Sequence, residues 1–122
     1  MSRTLALAAI SCLLAVTASA DEPGAGDAML HKCEICHSLN AGAPAKVGPT
    51  LHGVFGRKAG TAPGFPFSDA MKNSGIVWDD ETLAKFLRDP KTALPGNRMS
   101  FPGIADEAAL GDLLARLKQA TQ

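Results

Sequence analysis

Apolar residues recur at helical spacing in only a few short stretches of this chain, and a long stretch between them has no periodicity. The clearest stripe is Leu110, Leu113, Leu114 and Leu117, at i, i+3, i+4 and i+7. It predicts a helix from about Glu107 to Gln119 with Asp106 as its cap. A second pattern puts Leu83, Phe86 and Leu87 on one face of a helix over 80–89, capped by Asp79 and stopped by Pro90. Shorter helices are expected over 68–73, capped by Ser68 and ended by Gly75, and over 27–33, where Asp27 can cap the free amides. In that first helix Met29 and Leu30 would face inward, and the leucine stripe of the last helix needs such a partner to bury itself. Residues 38–66 are interrupted from Gly42 to Gly64 by glycines and from Pro44 to Pro66 by prolines, which rules out long regular elements there. With no alternating strand pattern and no internal repeat, the fold class is all-α.

Composition sharpens this picture at one point. A content of 46% hydrophobic and 20% charged residues is that of an ordinary globule, and 122 residues make one domain. The aromatic share is only 5%, however, so side chains alone give a thin core. A large buried cofactor would fill the gap, and covering it would give the long structureless segment a role.

The first twenty residues form a separate unit. Arg3 precedes an apolar run from Leu5 to Val16, followed by small residues ending in Ala18-Ser19-Ala20. This is the pattern of a secretory signal peptide over 1–20, cleaved after Ala20, with a single domain over 21–122. The apolar run is shorter than the roughly 20 residues that span a bilayer, so no stable membrane insertion is expected. Cys12 lies inside this segment, and Ala9-Ile10-Ser11 before it is a poor match to a lipidation signal. The whole chain balances 12 basic against 12 acidic residues, and loss of Arg3 leaves the remainder one negative charge from neutral. Such a chain offers nucleic acid no general polycation.

Two cysteines remain, in Cys33-Glu34-Ile35-Cys36-His37, the C-x-x-C-H pattern of c-type haem attachment. Two thiols about one turn apart can add to the two vinyl groups of one haem, and the next residue then presents an imidazole to the iron. A thioredoxin-like pair has no use for the adjacent histidine and needs a helix N-terminus after a strand. A zinc knuckle would need further ligands, and only His31 and His52 remain. One haem c, covalent through Cys33 and Cys36 with His37 on the iron, is therefore expected.

Five residues compete for the opposite iron position: Met29, His31, His52, Met71 and Met99. Met29 and His31 are too close to Cys33 in sequence to cross the haem, and His52 reads as a surface or loop-bonded histidine. Met71 falls on a short helix, where methionine is more often core filler. Met99 is preferred because its irregular segment, Pro95 to Gly103, can turn a thioether inward, and His/Met ligation is a common electron-carrier pairing.

From Gly48 to Gly103 the chain resembles the class I c-type cytochromes, the family of mitochondrial cytochrome c and bacterial cytochrome c2. The resemblance rests on Gly48-Pro49-Thr50-Leu51-His52-Gly53, Phe55-Gly56-Arg57-Lys58, Ala62-Pro63-Gly64-Phe65, Lys72-Asn73, Trp78, and Pro95-Gly96 with Met99 and Phe101. With the haem motif and the last helix it covers nearly all of 21–122. It implies short helices and long loops around one haem, and electron transfer without any chemical change to a substrate. By the same resemblance the carbonyl of Pro49 orients the haem histidine, Arg57 and Trp78 hold a buried propionate, and Phe101 lies at the exposed haem edge.

Three positions depart from the family pattern. Phe67 and Phe86 stand where tyrosines are usual, and Met71 replaces an asparagine, so the side of the haem near Met99 should be drier. Lys32, Lys46, Lys91 and Arg98 match the basic ring of the haem edge. They imply docking with membrane-bound or soluble redox proteins. A periplasmic, monomeric carrier of a respiratory or photosynthetic chain is the resulting expectation.

Overall fold

The computed structural model describes residues 24–122 and contains five helices there. They are α1 (Ala25–Glu34), α2 (Asp69–Lys72), α3 (Asp80–Arg88), α4 (Pro90–Ala93) and α5 (Glu107–Ala120). No strand occurs among the described residues; one isolated antiparallel bridge joins Lys58 to Val77. The all-α expectation therefore holds. The expected signal segment, with Cys12, lies outside the described residues. None of the helices described is long and apolar enough to cross a membrane.

α5 forms where its leucine stripe predicts. Asp106 accepts hydrogen bonds from the amides of Ala108 and Ala109, and Leu110, Leu113, Leu114 and Leu117 are all buried. Its partner is α1. The helices come so close that a Cβ on Gly26 would lie 2.6 Å from the Asp112 carbonyl oxygen, and Arg116 of α5 forms an ion pair with Asp27 of α1. That pair corrects one expectation: α1 begins two residues earlier, at Ala25, with Gly24 at its N-cap and no side-chain cap. Asp27 sits within the first turn of the helix and spends its carboxylate on Arg116.

α3 carries a capping box in which the Asp79 carboxylate accepts from the Thr82 amide while the Thr82 hydroxyl accepts from the Asp79 amide. Pro90 ends α3, as expected, but it also opens α4. Asp89 caps that short helix by accepting from the Thr92 amide, and proline at the first helical position has no amide to leave unpaired. α2 is capped by Ser68, whose hydroxyl oxygen accepts from the Met71 amide.

The segment from Ser38 to Pro66 wraps as a loop and is held by scattered backbone bonds. The Gly53 amide donates to the carbonyl of Thr121 at 2.7 Å, which ties the loop to the end of α5. The Gly56 amide donates to Trp78 and the Trp78 amide to Arg57, so loop and core are linked on both sides of the indole. The loop and the helices meet around a cavity of ≈ 660 Å³.

Candidate cofactor site

Cys33 lies in the last turn of α1 and Cys36 just past its end, so the helix delivers both sulfurs and His37 to the cavity wall. Burial pushes the Cys33 thiol up, the reverse of what a nucleophilic redox cysteine requires. Position on the helix gives the same answer, since a C-terminal turn offers no favourable dipole to a thiolate.

His37 is fixed from two sides. Its Nδ1 donates to the carbonyl of Pro49 at 2.7 Å, which leaves Nε2 with its lone pair. Burial holds the imidazole below its ordinary pKa, while the Pro49 carbonyl works in the opposite direction. The second constraint is Gly48, where a Cβ would come within 2.6 Å of the ring. The Gly48 amide donates to the Cys36 carbonyl at 2.8 Å, so only a residue without a side chain lets backbone and imidazole approach this closely.

All eight residues singled out in the sequence line this one cavity: Cys33, Cys36, His37, Pro49, Arg57, Trp78, Met99 and Phe101. Of the five competitors for the second iron position, only Met71 and Met99 reach it. His31 is exposed and its Nδ1 lies 2.8 Å from Glu34, while the His52 carbonyl accepts from Arg57. Met29 packs against the core. Phe86 is buried against Trp78 with ring centroids 5.2 Å apart, and Phe67 meets Phe65 edge to face at 4.9 Å.

Arg57 spends part of its guanidinium inside the chain, donating to the carbonyls of Thr50 at 2.7 Å and His52 at 2.8 Å. Burial lowers its pKa, though an arginine remains a cation there. Trp78 is buried and its indole N–H has no partner among the described residues, yet no sealed unpaired polar atom is found among them. The donor therefore opens onto the cavity that the ring lines. Among the described residues no carboxylate lines that cavity, whereas Lys32, Lys46, Arg57 and Arg98 all do.

Two contributors escape a reading of the sequence. Gly48 is one glycine among many in a loop, and its role exists only because His37 folds against it. Asn97 binds the Met99 amide at 3.0 Å and the carbonyls of Pro90, which opens α4, and of Leu94, its C-cap.

Comparison with known proteins is decisive at this point. The chain is 47% identical over 102 residues to cytochrome c2 of Blastochloris viridis, covering 84% of this chain and 80% of that protein. The chain belongs to the class I c-type cytochromes. As a member it shares 46% identity over 90 residues with cytochrome c of Sesamum indicum, 74% of this chain and 81% of the relative. Cytochrome cH from Methylobacterium extorquens superposes with a TM-score of 0.72 at 44% identity, covering 80% of this chain and 98% of that one. No family model matches the chain. Proteins of this family carry electrons on a covalent haem c and are not enzymes, and Cys33 and Cys36 have the spacing of its attachment pair. The residues present fit that group: a largely apolar cavity of ≈ 660 Å³, two thiols, an imidazole with Nε2 uncommitted, and cationic and N–H donors for acidic substituents.

Proposed function

We propose that this cytochrome is an exported one-electron carrier in which His37 and Met99 bind the haem iron from its two faces. The observation that carries the reading is the 2.7 Å bond from His37 Nδ1 to the Pro49 carbonyl, which fixes the tautomer and leaves Nε2 for a metal. When bound, the haem supplies the chemistry by cycling between its ferric and ferrous states. The protein's own residues orient it, keep water away and give its acidic substituents partners. Arg57 and the Trp78 N–H serve a buried propionate, which is costly to bury without such donors. Met99 is favoured over Met71 because it sits on a loop whose backbone bonds leave the thioether free to act as a ligand. Met71 lies inside α2, although both methionines pack against the core.

The signal pattern of residues 1–20 supports export to the periplasm with cleavage near Asp21, and the protein is read as one domain over 21–122 that works as a monomer. Docking involves the cavity mouth. Lys32, Lys46 and Arg98 line it, and Arg98 and Lys91 flank an adjoining groove of ≈ 430 Å³ that also includes Met99 and Phe101. An apolar pair sits among these cations. The Lys46 ammonium donates to the Glu34 carbonyl and the Gly48 amide to the Cys36 carbonyl, which brackets Ile35 and Val47 side by side at 75% and 79% exposure. Membrane-bound or soluble redox proteins that present an apolar spot rimmed by carboxylates fit this face.

Extraction with acidified organic solvent tests the attachment. The haem should stay on the polypeptide, and Cys33→Ala with Cys36→Ala together should release it. Haem that extracts from the parent protein would overturn the reading.

A further inference from the structure

We infer that Asn97 is the positioning residue that holds Met99 against the iron, acting as a three-armed lock between α4 and the ligand loop; this rests on the reading of Met99 as a ligand. Its carboxamide makes three hydrogen bonds and uses both of its donors. The Oδ1 accepts the Met99 amide at 3.0 Å, and the two hydrogens of Nδ2 go to the carbonyls of Pro90 and Leu94, each at 2.8 Å. The chemistry of the partners fixes the orientation of the amide, since two carbonyls need a donor and an N–H needs an acceptor. Pro90 is itself among the most deeply buried residues and is the first residue of α4, which Asp89 caps. The lock is therefore anchored in the core.

Among the described residues no other side chain hydrogen-bonds the Met99 backbone, although the thioether side chain packs on the core. Backbone bonds of the loop occur before it, from the Asn97 amide to Leu94, and after it, from the Phe101 amide to the Met99 carbonyl and from the Ile104 amide to Leu87. At the far end Gly103 presses on α3, where a Cβ would lie 2.3 Å from the Arg88 carbonyl oxygen. The stretch between these anchors contains no helix, and the Met99 N–H is secured by the Asn97 side chain. Loss of that side chain releases the loop in the middle while both ends stay attached. The thioether would then leave the iron more often, at a cost in fold stability no larger than that of the lost bonds.

The test uses the full haem-loaded protein and measures three quantities in each variant: the rate of carbon monoxide binding to the reduced form, the methionine-to-iron charge-transfer band of the oxidised form, and the denaturant midpoint. Asn97→Ala should bind carbon monoxide about 10- to 100-fold faster, as expected for the loss of a few modest hydrogen bonds, and should weaken the band. Asn97→Asp is nearly isosteric and keeps the acceptor for Met99, but it sets an oxygen against two carbonyls, so it should open the iron at least as much. Asn97→Ser, whose hydroxyl can still accept from an amide two residues on, should fall between Asn97→Ala and the parent. The midpoint should fall by no more than the stability equivalent of that fold-change, about 1–3 kcal/mol, throughout the series. Parent-like rates in Asn97→Ala and Asn97→Asp, or equal opening in Gly26→Val, a variant destabilised away from the loop, would overturn the proposal. Met99→Ala separates the two levels of inference. If it fails to open the iron, the ligand reading falls and the lock with it; if it opens the iron while Asn97→Ala does not, the lock alone is wrong.

Discussion

The segment bearing His37 and the segment bearing Met99 reach the same cavity by different means. His37 follows directly on a ten-residue helix that is clasped to α5 by the close approach at Gly26 and by the Asp27–Arg116 pair. Its ring is then gripped by Pro49 and Gly48. Met99 lies on a loop with no helix of its own, held at its ends by α3 and α4 and in the middle by one carboxamide. One side is built on a helix packed against α5, the other on a loop that packs Met99 and Phe101 on the core without a helix of its own. On the proposed ligand set, the side that carries the attachment cysteines rests on packed helices, and opening of the iron is expected to begin at the loop.

The largest expected effect that could break this contrast is at Gly48. Gly48→Val places carbon atoms where the His37 ring now lies, so little protein with a normal spectrum should accumulate, as measured by covalent haem per polypeptide. Normal yield and spectrum would mean that the ring is not gripped as described. Gly26→Val comes next. It forces α1 away from α5 and should cost about 1–3 kcal/mol of stability by overpacking. Denaturant titration of the haem-loaded protein should report that loss, while carbon monoxide binding stays at the parent's level. A variant that unfolds no more easily but opens the iron would reverse the roles assigned to the two segments.

Smaller effects probe the docking face. Lys91 and Arg98 flank the Met99 side, whereas Lys118 pairs with Asp80 at 2.8 Å and stacks over the Phe55 ring. Lys91→Glu or Arg98→Glu should slow electron transfer to an acidic partner and flatten its dependence on salt, while Lys118→Glu should do little. Equal effects at all three sites in stopped-flow measurements would show that only net charge matters. The smallest change is Phe86→Tyr, which adds one hydroxyl to an apolar wall and should shift the reduction potential at fixed pH. An unchanged potential would place Phe86 out of reach of the ligand.

The same contrast explains what could be read in advance. The His37 side is contiguous in sequence, and C-x-x-C-H states its own chemistry. α3 and α5 were equally legible because cap, stripe and stop all lie within one stretch of chain. Asp27 was misread because its partner Arg116 is 89 residues away, and a local rule for aspartate at a helix start had no competitor in view. α4 was missed because proline marks both the end of one helix and the first position of another, and Asp89 had to be recognised as a cap. On the Met99 side the methionine could be chosen by the character of its loop. Asn97 could not, because its two acceptors are the first residue and the C-cap of that unexpected helix. Gly48 was visible only as a loop glycine. Its necessity arises from a ring that the fold brings to it.

The central claim is that this cavity holds a haem whose iron is closed on both faces by protein ligands, as an electron carrier requires. The most direct test is the visible spectrum of the reduced protein at neutral pH before and after carbon monoxide is added, with Met99→Ala measured alongside. The account predicts a parent spectrum that does not change on mixing and a Met99→Ala spectrum that converts promptly to the carbon monoxide form. Prompt conversion of the parent would mean an open iron site and would contradict it.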